Sequence, residues 1–280
     1  SLLARVMVNR IWLHYFGSGL VSTPEDFGMA GDSPSHPELL EWLACELVRN
    51  DWRIKHIHKL IVCSATYRQS SSLKPSRESD PGNRYLARVN LRRLPAEMIR
   101  DSILSVTGSL DRTLYGPPVF PPIPTEAVYN TQFSKAETWP IDYEMDRPSL
   151  WRRSIYVASR RTVPIPLLQL FDAPDGTFPC HQRTTTLLPS QSLALMNSEF
   201  VIKHTRRLGK QINDQVPDNR MACREVFKRV LNRNPEPQEM GDAMEFLGML
   251  EKDSLTSSRA HKLAALVQTL MMSNEFLFLR

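Results

Sequence analysis

Two groups of residues in this chain carry side chains able to do chemistry. In the first, Phe171-Asp172-Ala-Pro-Asp175-Gly is followed by Cys180, His181 and Arg183 and preceded by Arg160-Arg161. A cysteine beside a histidine becomes a nucleophile with its base only when the imidazole reaches the sulfur and a third group orients the ring. Neighbours in sequence often point apart, so Cys180 is a candidate thiol with no assigned reaction. Asp172, Asp175 and His181 are metal-ligand types, but their spacing is characteristic of no particular ion, and no metal site is expected. Arg160, Arg161, Asp172 and Arg183 form a candidate anion-binding set, because guanidinium groups grip sulfates and carboxylates in two-point geometry. The second group is Asn9, Arg10, Asp26 and His36. Asp26-Phe27-Gly28 has the form of a kinase metal-binding triplet, yet the His-Arg-Asp loop and the phosphate-covering glycine loop that would accompany it are absent. Two roles remain for this group. Asp26 can accept hydrogen bonds from Asn9 or Arg10 and clamp helix, loop and helix together, or the four side chains can line a small polar pocket. No complete catalytic set emerges from either group.

The elements that must position these residues follow from composition and pattern. With 280 residues, 41% hydrophobic and 23% charged, five Trp and eleven Phe, the chain has enough apolar surface for a folded core. Glycine is scarce (11) and proline frequent (21), which suits helices joined by stiff loops. The net charge of +5 is spread over short pairs such as Arg92-Arg93, Arg152-Arg153 and Arg206-Arg207, a pattern that argues against nucleic acid as a partner. Cysteines 45, 63, 180 and 223 form no Cys-x-x-Cys, and Thr177 occupies the position that a haem-attachment motif ending in Cys180-His181 would need, so no haem is expected on this chain. Cys45 and Cys63 sit in apolar helical patterns and are expected to be buried. The longest apolar run, 263–272, is interrupted by Gln268 and Thr269 and is too short to span a membrane. The chain opens on Ser1 with no basic-then-apolar leader and reads as a piece of a longer protein whose signal peptide would lie upstream.

Leu3, Met7, Ile11 and Tyr15 predict a helix over 2–16 closed by Gly17, with most of its surface covered. A glycine-containing loop leads to Ser35-x-x-Glu38, a capping box for a helix to about Arg49 that buries Leu39, Leu40, Trp42, Leu43 and Leu47. A third helix is expected over 55–64. Together these form a lobe over 1–70, followed by an exposed connection over 70–84 and a larger helical lobe over 85–280, the whole making one integrated domain. The second lobe opens with a helix from Pro95 to Gly108. Its segment 112–150 holds seven prolines and is expected to be either a Pro-stiffened surface loop with no ligand or a packed excursion with a binding role. Ser154 to Val163 is the one strand candidate, and helices are expected over 190–213, 219–232, 238–252 and 257–272. The expected fold class is mainly α: an irregular multi-helix globular domain with a long Pro-rich excursion and at most a few short strands.

The order of short motifs resembles a family. Asn9-Arg10-x-Trp12, Phe16-Gly17-x-Gly19-Leu20-Val21, Asp26-Phe27-Gly28 and Pro34-Ser35-His36-Pro37-Glu38-Leu39-Leu40 come first. Arg93-Leu94-x-Ala96-Glu97-x-Ile99-Arg100-Asp101, Arg153-Ser154-x-Tyr156, Phe171-Asp172, Cys180-x-x-Arg183, Gln191-x-Leu193 and Asn274-Glu275-Phe276 follow. This series is similar to a planctomycete-specific domain of unknown function found near the C-terminus of large exported proteins, many with a cytochrome-c-like domain upstream. Ser192 and Tyr115 depart from the expected Ala and Gly, and Tyr115 puts a tight turn there in question. The resemblance implies an exported or periplasmic location and a haem-bearing domain in the same polypeptide as partner. It assigns no reaction. Two functions are therefore carried forward: a non-catalytic accessory or interaction module for neighbouring domains, and a domain that binds or processes anionic (sulfated or uronic) polysaccharide through the 160–183 region.

Overall fold

A computed structural model describes residues 1–71, 80, 82–124, 139, 148–161, 163–249 and 258–279. Helices dominate. In chain order they are α1 (Leu2–Phe16), α2 (Pro37–Arg49), α3 (Ile54–Cys63), α4 (Ala96–Val106), α5 (Pro166–Leu170), α6 (Pro189–Asn197), α7 (Glu199–Gln215), α8 (Asn219–Leu231), α9 (Pro237–Met249), α10 (Arg259–Met271) and α11 (Asn274–Leu277). The one sheet among the described residues pairs β1 (Arg92–Arg93) with β2 (Phe278–Leu279). The mainly helical class is as expected. The chain divides into two units, Ser1–Arg92 with Phe278–Arg280, and Arg93–Leu277.

In the first unit α1 buries Val8, Ile11 and Trp12 of its apolar pattern and half-buries Met7 and Tyr15, while Leu3 at its start is exposed. Ala4, Val8, Ile11, Trp12 and Phe16 are buried, whereas Leu2 and Leu3 are more than 60% exposed. These buried residues pack with Leu20, Val21, Leu40, Leu43, Leu47, Ile57 and Ile61 into one core, with Trp12 stacked on Phe16 at 4.2 Å. Gly17 takes the left-handed conformation (φ 83°) that ends α1, as expected of a C-terminal glycine. The expected capping box is absent. Pro37 fixes the first helical position, so His36 becomes the N-cap and Leu39, not a glutamate, stands three residues on. The Ser35 hydroxyl donates instead to the Leu20 carbonyl at 3.3 Å. Trp42 and both Cys45 and Cys63 are exposed, because the apolar stripe of each helix falls on other residues: Leu40, Leu43 and Leu47 in α2, Ile57 and Ile61 in α3. Asp51 takes the left-handed conformation that glycine favours (φ 52°) after α2, with Trp52 N–H donating to Leu47 and Asp51 N–H to Val48. Of the expected 70–84 connection, most lies outside the described residues. Asn83 is buried, not exposed, and bonds to Arg88, Asn90 and Ala87.

In the second unit α7 packs on α10 at very short range. A Cβ on Gly209 would stand 2.6 Å from both the Ala260 carbonyl oxygen and the Ala264 nitrogen, so glycine is what permits the approach. The helix expected over 190–213 is broken at Ser198 into α6 and α7. The strand candidate at 154–163 is instead a 3-10 turn, Ser154–Tyr156, followed by single bridges Val119 with Val157 and Arg160 with Val163. Most of the Pro-rich excursion lies outside the described residues. Within its described part, Trp139 is buried against Phe120, Ile123, Val157, Val163 and Ile165, and its indole N–H donates to the Pro121 carbonyl at 2.9 Å.

The C-terminal helices are tied by Arg233, which donates to both Glu239 oxygens at 2.6 Å and to Glu275 at 2.7 and 2.8 Å. Those hydrogen bonds hold the Glu239 carboxyl down from its ordinary 4.5 to about 2. A carboxyl lowered on folding contributes stability that is complete above its unfolded pKa and is lost as pH falls through the folded one. Acid titration followed by circular dichroism should therefore show wild-type stability declining between about pH 4.5 and about pH 2 more steeply than in Glu239→Gln, with the two curves parallel above pH 5.

Candidate functional site

Arg93 stands just before α4, and its side chain is 3% exposed. A guanidinium stays charged inside a protein, so burial obliges it to find partners. It donates to the Thr186 carbonyl at 2.7 Å, the Phe171 carbonyl at 2.9 Å and the Asp172 carboxylate at 2.7 Å, and its cation lies 5.3 Å from the centre of the Phe171 ring. Asp172 in turn accepts from the Thr186 N–H at 2.8 Å and from the Thr186 hydroxyl at 2.8 and 3.0 Å. Gln191 closes the ring by donating to the Leu170 carbonyl, the Thr186 carbonyl and the Thr186 hydroxyl. Burial pushes the Asp172 carboxyl up, but the bonds from Thr186 and Arg93 outweigh it and hold the carboxyl below its ordinary range. Asp172 also adopts φ 62°, a left-handed conformation that turns the chain sharply as α5 ends.

This ring of side chains is the neck of a loop. Residues 173–185 leave at Asp172 and return at Thr186, and every residue from 174 to 185 is exposed. Compact surface loops whose ends are held together are frequently functional. The loop and its flank present Phe178 at 76% exposure and Leu187 at 70%, together with Cys180 and His181. Cys180 donates to the Gln182 carbonyl at 3.4 Å. Asp175 accepts the Thr177 N–H at 2.8 Å. Arg183 pairs with Glu97 of α4 at 2.6 Å. Burial raises the Glu97 carboxyl, yet its bond from Arg183 brings it below the ordinary range.

A second node lies nearby in sequence on α4. Asp101 accepts from the Ser154 N–H at 2.8 and 3.0 Å and from its hydroxyl at 2.6 Å. Arg100 donates to the Arg152 carbonyl at 2.9 Å and to the Ser154 hydroxyl at 3.1 Å, and burial lowers its pKa to about 10 against the pull of Asp101. Arg152 donates to the carbonyls of Thr113, Tyr115 and Pro117 and stacks on the Tyr156 ring at 3.9 Å. The Tyr156 hydroxyl accepts the Tyr115 N–H at 2.9 Å, which fixes Tyr115 at φ 63° and allows the turn there without a second glycine.

The residues singled out in the sequence are placed as follows. Asn9 is fully buried and its amide exchanges two hydrogen bonds with the Val21 backbone, at 3.0 and 2.9 Å. It acts as a clamp between α1 and the following loop, and a Cβ on Gly19 would collide with it. Asp26 accepts the Gly28 N–H at 2.7 Å within its own loop, Arg10 is exposed, and His36 Nδ1 lies 2.9 Å from the Ser35 hydroxyl. Arg160 lies 5.2 Å from the Phe120 ring centre, and Arg161 is exposed. Asp172 and Arg183 therefore bond to Arg93 and Glu97, and Arg160 rests on an aromatic ring. Among the described residues, no three His, Cys, Asp or Glu side chains are grouped to hold a metal ion. An open depression of about 270 Å³, lined by Ser102, Ser105, Val230, Asn232 and Phe276, includes Glu275, whose carboxylate Arg233 already occupies. Thr186 is the neck residue that the sequence does not single out, since nothing distinguishes it within Thr184-Thr185-Thr186.

Removing the buried cation takes the charged donor from Asp172, takes one of two donors from the Thr186 carbonyl and removes the bond to the Phe171 carbonyl. Arg93→Ala should lower unfolding free energy by about 3–5 kcal/mol in denaturant titration, and Arg93→Lys should recover little of it, because an ammonium cannot span the carboxylate and both carbonyls.

Searches of curated proteins and of solved structures each find no match to this chain. The sequence model of one family does match, over residues 1–247, and it takes in the Asn9 clamp, the Arg93 neck and the exposed loop. The chain therefore belongs to the PSD1 family, described as proteins of unknown function (DUF1553).

Proposed function

We propose that this chain is a non-catalytic interaction module of a larger exported polypeptide, and that the loop 174–185 held by Arg93 is its recognition element. The partners are other domains of the same polypeptide, a cytochrome-c-like domain among them, with any haem carried by that domain. The observation that supports this reading is the neck itself: a buried charge, a carboxylate, a hydroxyl and an amide are all committed to presenting an exposed loop. The two carboxylates of this region are committed to structure, Asp172 to Arg93 and Thr186, and Glu97 to Arg183. Phe178 and Leu187 give the loop and its flank apolar anchors of the kind that dominate recognition energetics. Polysaccharide binding through Arg160, Arg161, Asp172 and Arg183 would require Arg183 to leave Glu97 and Arg160 to leave the Phe120 ring.

The test is calorimetric titration of this chain with the separately produced cytochrome-c-like domain. Saturable binding is expected, with Phe178→Ala and Leu187→Ser each weakening it about tenfold while leaving thermal stability unchanged. Binding unaffected by both substitutions would move recognition off the loop, and absence of binding would remove this partner.

A further inference from the structure

A different set of residues in the second unit, on α7, forms a row of cations. Lys203, Arg206, Arg207 and Lys210 follow the i, i+3, i+4, i+7 spacing that places four cations on one face of α7. Arg206, Arg207 and Lys210 are exposed, and the Lys203 ammonium lies 5.2 Å from the centre of the Trp151 ring. Like charges at these spacings repel one another. The carboxylates of the helix, Glu199 and Asp214, stand in its first and last turns. Among the described residues no ion pair joins Arg206, Arg207 or Lys210 to a carboxylate, whereas Arg229 on α8 meets Glu225 at 2.7 Å. Residues 199–231 hold eight Lys and Arg against four Asp and Glu, so this stretch carries +4 of the chain's net +5.

The rest of the helix narrows the partner. Its apolar face, Val201, Leu208 and Ile212, is buried, and Gly209 lies against the α10 backbone, so that face cannot turn to lipid. The exposed positions of the helix, 199, 206, 207, 210, 214 and 215, are all polar or charged. They offer no ring on which a base could stack and no apolar anchor for a protein hot spot. A rigid row of point charges suits a linear polymer that carries anions at intervals and binds by releasing its counterions. We infer that the exposed face of α7 binds an acidic polysaccharide, through Arg206, Arg207 and Lys210. The site is distinct from the loop and from its domain partners, so each can fail without the other.

The experiment titrates the whole chain with heparin and, separately, with polygalacturonate at two salt concentrations, with duplex DNA and phosphatidylserine vesicles as further ligands. Saturable binding to one of the two polysaccharides is expected, and which one separates sulfate from carboxylate recognition. The combined variant Arg206→Gln, Arg207→Gln, Lys210→Gln should bind at least about tenfold more weakly and with a shallower salt dependence. The single Arg207→Gln should show a smaller loss in the same direction, which serves if the combined variant melts early. Arg53→Gln, Lys55→Gln, Lys59→Gln removes the same charge from exposed positions on and just before α3 and should leave affinity within about twofold. Equal losses in the two triple variants, no saturable binding to either polysaccharide, or tighter binding of DNA or vesicles would overturn the inference.

Discussion

The buried guanidinium of Arg93 is the constraint on which the candidate site depends. Inside the protein it cannot shed its charge and it cannot reach bulk water, so it must be met by acceptors. It is met by two backbone carbonyls and one carboxylate drawn from positions 171, 172 and 186. Once those three positions are held, the chain between Asp172 and Thr186 is directed outward, and every residue from 174 to 185 is exposed. The display of the loop is a consequence of where one cation is satisfied.

Arg93 is one of several cases. Arg100 and Arg152 are also buried, and their bonds go largely to carbonyl oxygens: Arg152 from Arg100, and Thr113, Tyr115 and Pro117 from Arg152. The composition gives the physical reason. Each proline brings a carbonyl but no N–H, and irregular backbone leaves acceptors that no helix or sheet ladder fills. A chain with 21 prolines and, among its described residues, one two-stranded sheet is short of donors. Arginine supplies five donors on one planar group. The indole N–H of Trp139, given to Pro121, does the same service in the Pro-rich segment. Arg93, Arg100 and Arg152 are in this way architectural.

Helix positions were legible because apolar spacing is a local signal: α1, α3, α4, α8 and α10 begin and end within two or three residues of where periodicity puts them. Side-chain partnership was not legible, because it depends on which turn the backbone takes. Ser35 and Glu38 have the letters of a capping box, but Pro37 shifts the helix start by one residue and voids it. Asp26 lies in the same loop region as Val21, yet Asn9 takes the Val21 backbone and Asp26 takes Gly28. The ring of Arg93, Asp172, Thr186 and Gln191 spans almost a hundred residues, and no spacing rule joins them. Three of the four stand in motifs that marked the family, and Thr186 was hidden among identical neighbours.

Amide hydrogen exchange on the native chain tests the central claim most directly. The account predicts slow exchange at the Thr186 and Phe171 N–H groups, which lie in the neck, together with fast exchange at amides from Phe178 to Thr185, whose N–H groups donate no hydrogen bond among the described residues. Slow exchange throughout 178–185 would mean that the loop is packed and not displayed, and would contradict the account; so would fast exchange at Thr186.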